Sequence, residues 1–265
     1  MSSAVETRTF IEFKDLEKSF TTRGGTVTAI ESLSLSVQEG EFLAVVGPSG
    51  CGKSTLLMAL AGLTTPTSGE VVVGGERVDG PMTQAGVVFQ SAELLSWRTA
   101  LENVLLQAEV RKLDLPENRP RAQQLLEDVG LRGFENHYPD ELSGGMQQRV
   151  ALCRALLHDP SMILMDEPLG ALDAITRDQV QGDLQNLWMK SRCTVLLITH
   201  SIEEAVFLAD RVIVLSPRPA TIAADITIDL PRPRHVADRG TPEFTNLVNE
   251  IRHEFSRLGV FEQDE

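Results

Sequence analysis

Residues 47–55 read Gly-Pro-Ser-Gly-Cys-Gly-Lys-Ser-Thr, a full match to Gly, four free positions, Gly-Lys, then Ser or Thr. Such a loop constrains the chain on both sides. Glu41-Phe-Leu-Ala-Val-Val46 ahead of it reads as a buried strand, and Ser54–Gly62 behind it reads as a helix. Glycines let the backbone bend until successive N–H groups point inward, and a helix N-terminus adds its own attraction for anions. Gly47, Pro48, Ser49, Gly50, Cys51, Gly52 and Thr55 then form the walls of a phosphate cradle. Lys53 supplies a point charge for the outer phosphates, and the Ser54 hydroxyl is suited to ligate Mg2+. The implied ligand is a nucleoside triphosphate. The competing reading, an ordinary glycine-rich turn, does not require the strand before and the helix after. Cys51 reads as a tolerated small residue; the alternative is a reactive thiol, because a helix N-terminus lowers a thiol pKa.

A chain of 265 residues can hold one large α/β domain or two small ones. Its net charge of −14 argues against a general nucleic-acid binder, which needs a basic face. It does not argue against a phosphate ligand, whose site depends on local donors. Cys51, Cys153 and Cys193 are far apart and lack metal-ligand spacing, which suits reduced thiols in the cytosol. The longest uncharged run, Ser54–Gly69, is too short and too rich in Thr, Gly and Pro to cross a bilayer. The opening Met1–Thr9 has no apolar core for a signal peptide. Any membrane part is expected to come from other chains.

Phe10–Phe13 and Leu33–Val37 look like short strands, with hairpin turns at Gly24-Gly25 and Gly74-Gly75. They predict an antiparallel β portion around the start of the core. Val87–Phe89 is a further strand candidate, ending at Gln90. From about Ser91 to Leu157 the spacing turns helical: Leu101, Val104, Leu105 and Ala108 share one face, Leu125, Leu126 and Val129 another. Asp114–Pro120 reads as a polar, Pro-bounded connector. Buried strands return at Met162–Met165, Thr194–Thr199 and Arg211–Leu215, with helices between them. Ser216–Ile228 looks like a strand-rich closing piece, Pro231–Arg234 a break, and Thr245–Leu258 an amphipathic helix. The expected class is α/β: a P-loop NTPase core with a mostly parallel sheet, an antiparallel β subdomain and an inserted helical subdomain. The expected domains are 8–234, with the helical insertion at about 91–157, and a helical tail at 235–265.

Two more strings carry chemistry. In Met162-Ile-Leu-Met-Asp-Glu167 a buried strand runs straight into two acids, placing them at the carboxyl edge of the sheet where ligands of α/β folds sit. Asp166 is suited to orient Mg2+ and Glu167 to polarise an attacking water; the bland alternative is a pair of solvated acids. In Leu142-Ser-Gly-Gly-Met-Gln-Gln-Arg149, Ser143 can cap the following helix while Gly144 and Gly145 leave backbone N–H groups open. That makes a second anion-binding helix start. One triphosphate does not need two in a single subunit, which suggests a nucleotide held by another copy.

With these strings in place the chain resembles the ATP-binding cassette family, the ATPase subunits of ABC transporters. The resemblance runs from Phe10 to about Arg234 and includes the phosphate loop, Gln90, Leu142–Gln147, Asp166-Glu167, Ala171-Leu172-Asp173 and His200. It implies two cassettes stacked head to tail with ATP at each interface. Lys53, Ser54 and Asp166 would serve one nucleotide, while Ser143, Gly144, Gly145 and Gln147 form the motif that reaches the partner's γ-phosphate. Gln90 would sense Mg2+ and γ-phosphate, Glu167 would be the general base, His200 would hold γ-phosphate and water, and Asp173 would cross the interface. Phe20 occupies the adenine-stacking position, often Tyr in relatives; it could instead be a core residue. Met146 stands where Gln is common, and Ser201 where Asp is frequent, which puts the hydrogen bonds around His200 in question. His200 with Glu203 and Glu204 could also be read as a metal cluster, but no second His or Cys lies at ligand spacing.

A single cassette without fused membrane helices or coiled-coil arms fits an importer built from separate subunits. Gly86–Gln90, Gly170–Arg177, Leu196–Ala205, Leu215–Pro219 and Leu230–Arg234 look like the nitrate/sulfonate/taurine branch, although Ser96 stands where that branch often has Pro. Leu94–Val104 resembles the segment that meets the membrane subunit, with Trp97 either in contact or packed internally. The resemblance thus implies a homodimer on the cytoplasmic face of the membrane. Two permease subunits and an external solute-binding protein would complete the system. The alternatives are lipid trafficking or export, and a soluble nucleotide-driven switch.

Overall fold

The computed structural model describes residues 8–260. The expectation about a leader in Met1–Thr9 falls almost wholly outside them, as do the last five residues of the tail. In chain order come β1 (Thr9–Thr22), β2 (Gly25–Gln38), β3 (Phe42–Val46), α1 (Lys53–Leu60), β4 (Ser68–Val73), β5 (Glu76–Arg77) and β6 (Ala85–Val88). Next are α2 (Ala100–Val110), α3 (Leu115–Asp128), α4 (Gly144–Leu156), β7 (Met162–Asp166) and α5 (Ala174–Ser191). The chain closes with β8 (Thr194–Ile198), α6 (Ile202–Leu208), β9 (Arg211–Leu215), β10 (Ile222–Thr227) and α7 (Pro242–Arg257). These elements form two compact units: one holds the described residues up to Thr83, Cys193–Pro231 and the described residues from Ala237 on, the other Gln84–Arg192 and Arg232–Val236.

In the first unit β3 lies between β8 and β9, parallel to both, and β10 pairs antiparallel with β9. Every residue of β3 and β8 is buried, so these strands read as unbroken apolar runs rather than alternations. The second sheet is antiparallel, in the order β2-β1-β4-β5. Its two long strands have 14 residues each, far beyond the short pieces the pattern suggested. The reason is bulging. Asp15 and Ser32 both sit at φ 46°, and the register shifts between Phe13 and Leu16, which breaks the period-two signal. Gly74 and Gly75 turn β4 into β5 at φ 61° and 88°, the primed-turn geometry that glycine takes most easily.

Helix α7 begins three residues before the expected Thr245, because Thr241 caps it and Pro242 fills its first turn. Phe244, Val248, Ile251 and Phe255 form its buried stripe, packed on α6, β9 and β10. Each side chain of that kind stabilises by about 1.5–3 kcal/mol when fully buried. The tail is therefore part of this unit's core.

In the second unit β6 and β7 run parallel, with Val88 opposite Met165. Leu101, Val104, Leu105 and Ala108 are buried on α2. The expected connector at Asp114–Pro120 is instead the start of α3. Asp114 caps it by accepting from the Glu117 N–H (2.8 Å), Pro116 sits in the first turn where no N–H is needed, and Pro120 is carried inside the helix. Packing of α4 on β6 is close: a Cβ on Gly86 would lie 2.5 Å from the Ala155 carbonyl oxygen. The Pro-rich break docks on α5, where the Gln185 amide donates to Arg234 O (2.9 Å) and accepts from Arg234 N–H (2.8 Å). The guanidiniums of Arg192 and Arg232 lie 5.0 and 4.4 Å from the Trp188 ring centre.

Candidate functional site

The phosphate loop joins buried β3 to α1 with Gly50 at φ 71° and Gly52 at φ 132°, backbone states that side chains disfavour. Space forbids side chains as well. A Cβ on Gly52 would lie 2.9 Å from Ala29 O, and one on Gly47 would lie 2.9 Å from Cys51 Sγ. Lys53 is only 6% exposed, and its ammonium donates to Gly47 O (2.7 Å) and Pro48 O (2.9 Å). Helix α1 has no side-chain cap, so its first N–H groups are donors suited to an anion. Ser49, Gly50 and Ser54 are exposed, while Pro48 and Thr55 are half-buried. The donor set fits a phosphate chain: backbone N–H groups, one fixed cation and a hydroxyl. The reactive-thiol reading of Cys51 fails on burial. Desolvation raises the thiol above its ordinary value and outweighs the opposing pull of Lys53, the backbone amides and Arg218.

Two further candidates lie in the same unit. Phe20 is 42% exposed on β1, with the Lys18 ammonium 4.9 Å from its ring centre, so it is not a core residue. His200 is exposed directly after β8. The turn behind it is built by its neighbours. Thr199 Oγ1 donates to the buried Glu204 carboxylate and accepts from the Ser201 N–H (3.0 Å), while Ser201 Oγ accepts from the Glu204 N–H (3.2 Å). Ser201 thus caps α6. Among the described residues no His, Cys, Asp and Glu gather in threes to hold a metal, so the His200 cluster has no such arrangement. Mg2+ needs less, because it takes one or two carboxylates plus phosphate and water; Ser54, Asp166 and the Gln90 amide offer hard oxygen donors of that type.

In the second unit Asp166 ends β7 and Gln90 follows the end of the parallel strand β6. Glu167 sits at φ 47°, a left-handed state that costs a non-glycine residue about 1–3 kcal/mol. The loop behind it turns on Gly170. A Cβ there would lie 3.2 Å from Gln90 Nε2 and 3.7 Å from Glu167 Oε2, so the amide and the carboxylate both face the bare Cα. From α5, Arg177 donates to Leu172 O (2.7 Å) and Leu169 O (3.3 Å), bracing the same loop. Asp173 caps α5 by accepting from the Thr176 N–H (3.1 Å), and its hydrogen bonds to Thr176 hold its carboxyl below the usual range.

Helix α4 starts with Ser143, whose Oγ accepts from the Met146 N–H (3.3 Å). Its two glycines differ in purpose. Gly144 is open, with Leu172 Cδ2 at 3.8 Å from its imagined Cβ, whereas a Cβ on buried Gly145 would lie 2.2 Å from Thr176 Cγ2. Gly145 therefore lets α4 and α5 approach. Gln147 turns to its own chain, donating to Pro139 O (2.7 Å) and Leu142 O (3.2 Å). Further along, Gln148 donates to Phe89 O (3.1 Å), and Arg154 donates to Ala92 O (2.7 Å) and Glu93 O (2.6 Å). The helix that begins at Ser143 thus holds the backbone on both sides of Gln90.

This geometry agrees with a direct comparison: the ABC transporter profile matches residues 30–170. The chain belongs to the ABC transporter family. It is 44% identical over 247 residues to the nitrate import ATP-binding protein of Synechocystis sp., covering 91% of this chain and 93% of that one. It is 49% identical over 213 residues to a taurine import ATP-binding protein of Burkholderia pseudomallei, covering 80% and 82%. A solved ATP-binding cassette, a dimer in a post-hydrolysis state bound to ADP and Pi, superposes with a TM-score of 0.72 at 33% identity. That match covers 83% of this chain and 99% of the other.

In this cassette Trp97 is 71% exposed, which removes the internal-packing reading. Buried Asn103 shapes the segment around it, donating to the Leu95, Arg98 and Thr99 carbonyls and accepting from the Leu95 N–H (2.8 Å). Sequence reasoning missed Gly170, Arg177, Gln148 and Arg154 as parts of the site. Gly170 and Arg177 lay inside the string Gly170–Arg177 that carried the resemblance, but nothing local showed what they touch. No helix among the described residues is long and apolar enough to cross a membrane.

Proposed function

We propose that this chain is the ATP-hydrolysing subunit of an importer for a small anion of the nitrate, sulfonate or taurine kind. It works as a pair of copies on the cytoplasmic face of two permease subunits, fed by an external solute-binding protein. The observation that carries the reading is that the Gln90 amide and the Glu167 carboxylate both face Gly170, in a chain that also holds a complete phosphate loop. The fold and the relatives' names support the transport setting.

Lys53 and the first-turn N–H groups of α1 bind the phosphates of ATP. Ser54, Asp166 and Gln90 would hold Mg2+, which supplies charge neutralisation for the phosphate oxygens. Glu167 takes the proton of the attacking water, and His200 orients that water and the γ-phosphate. The strained backbone of Glu167 serves this role by fixing the carboxylate direction beforehand. Ser143 and Gly145, with Asp173, face the nucleotide of the second copy. Positioning and charge stabilisation do most of the work in phosphoryl transfer, so closure of two copies supplies donors that one copy lacks.

Glu167→Gln keeps the shape and removes the base. Turnover is expected to fall at least about 100-fold, a typical contribution of a general base, while ATP binding persists. Normal hydrolysis by that variant overturns the assignment of the base. The transport setting has its own test: purification from membranes in mild detergent should bring down a polytopic partner. Full ATPase activity in a free chain with no such partner favours the soluble-switch alternative.

A further inference from the structure

The connection between β9 and β10, Ser216–Thr221, touches the phosphate loop but has no role in the site as described so far. It is fixed at both ends. Ser216 Oγ accepts from the Thr221 N–H (3.0 Å), closing the turn on itself. Ala220 bonds to β2 on either side, donating to Ala29 O (2.9 Å) and accepting from the Glu31 N–H (3.1 Å). The Ala29 carbonyl is also the group that crowds Gly52, so β2, this turn and the phosphate loop share one anchor.

From this anchored turn Arg218 reaches the crown of the phosphate loop. Its Nη2 donates to the Gly50 carbonyl oxygen, and a Cβ on Gly50 would lie 3.7 Å from the same nitrogen. The guanidinium charge is felt at the next residue, where it opposes the rise of the Cys51 thiol. A carbonyl oxygen is a partial negative charge, and one left without a donor at the crown of an anion site repels the ligand. A guanidinium bonded to it removes that repulsion and adds a permanent cation, since arginine does not lose its proton near neutrality. Lys53 is held from inside the loop; Arg218 is held from outside it.

We propose that Arg218 is a positioning residue of the nucleotide site. It ties the Gly50 carbonyl to the β9–β10 turn and supplies a second fixed cation for the phosphate chain. The inference rests on the ATPase reading above and adds a residue to it. Its effect is on binding of the phosphates and not on the chemistry of the attacking water.

The test uses the purified full chain. ATP turnover and ADP titration are measured for the wild type, Arg218→Met, Arg218→Gln and Arg218→Lys, together with nucleotide-free thermal unfolding of each. The two neutral variants are expected to raise the KM for ATP and the Kd for ADP about tenfold, the usual size of a lost charge-assisted contact, with kcat within about twofold. Arg218→Lys should recover most of the loss, and unfolding should shift little, because the side chain is exposed. Neutral variants that bind ADP like the wild type overturn the proposal. So does a Lys variant no better than Met, or a loss of binding that tracks a loss of thermal stability. A wild-type chain that binds neither ATP nor ADP refutes the ATPase reading itself, which is a distinct outcome.

Discussion

The phosphate loop and the loop after β7 are both short turns between a buried strand and a helix, but they are held in different ways. The phosphate loop is held mainly by backbone, with Arg218 as a remote side-chain brace at Gly50. Two glycines at positive φ, close contact with Ala29 and Leu215, and two loop carbonyls around Lys53 define it. The acid loop is held by side chains from distant parts of its unit. Arg177 bonds two of its carbonyls, and the Gln90 amide and the Glu167 carboxylate both face Gly170. A backbone-held loop can present many N–H donors but can hardly move. A side-chain-held loop can aim one carboxylate and still be reset by whatever moves its braces, here α4 through Gln148 and Arg154.

Substitutions should separate these two kinds of support. The largest effect is expected from Gly52→Ala, which puts a side chain 2.9 Å from the Ala29 oxygen at φ 132°. Affinity for ATP should fall by about 100-fold or more in a nucleotide titration, because the loop must deform to admit the methyl group. Retention of affinity within about threefold would mean that the loop is not held by its backbone. Next is Gly170→Ala, whose methyl displaces Gln90 or Glu167 but not the phosphate loop. Steady-state assays should show kcat down about tenfold with KM little changed, which is about 1.4 kcal/mol in the transition state. A selective rise in KM would contradict the division between the loops.

Gly145→Ala comes third and tests packing. The added methyl meets Thr176 Cγ2 at 2.2 Å, and overpacking of this kind costs about 1–3 kcal/mol. Thermal or denaturant unfolding should report that loss, and Thr176→Ser in the same chain should restore much of it by removing the clashing methyl. If the double variant is as unstable as the single one, Gly145 is not there for Thr176.

The smallest effect concerns pH, at a histidine outside both loops. Burial, followed by the charges of Arg111 and Arg121, depresses His158 from the ordinary 6.5 to about 4. Between those values the unfolded chain binds the proton and the folded chain does not, so stability rises with pH in that window. Stability is thus lost as pH falls from about 6.5 toward 4, discounted because the ring is only partly buried. Comparing pH 7 with pH 5, His158→Gln should lessen the drop in melting temperature by about 2–4 °C, the shift that 1 kcal/mol makes in a chain of this size. An unchanged pH dependence removes His158 from the account.

Legibility in the sequence followed the same division. The phosphate loop was readable because its requirements are local: glycine for the positive-φ positions, Lys53 one residue after the last glycine, a buried strand ahead. Asp166 and Glu167 were readable as residues, since a buried run that ends in acids is also a local pattern. That Glu167 is left-handed, and that its carboxylate and the Gln90 amide both face Gly170, was not, because 77 residues separate Gln90 from Glu167. The long strands β1 and β2 were underestimated for a related reason: bulges destroy the alternation on which strand recognition depends. At Asp114–Pro120 proline and polarity suggest a connector in sequence, although the first turn of a helix accepts both.

By itself the sequence determined the chemistry in outline: a phosphate cradle, an acid pair at a strand end, a second capped helix start and a family of cassettes. Each is a short string whose meaning depends on the residues beside it. Only the tertiary structure decided what supports that chemistry. Gly145 makes room for Thr176, Arg177 braces the acid loop, and Arg218 reaches Gly50 from 168 residues away. Such contacts need no sequence proximity: they form because strands and helices, each specified locally, pack their ends together and bring remote side chains within hydrogen-bond reach.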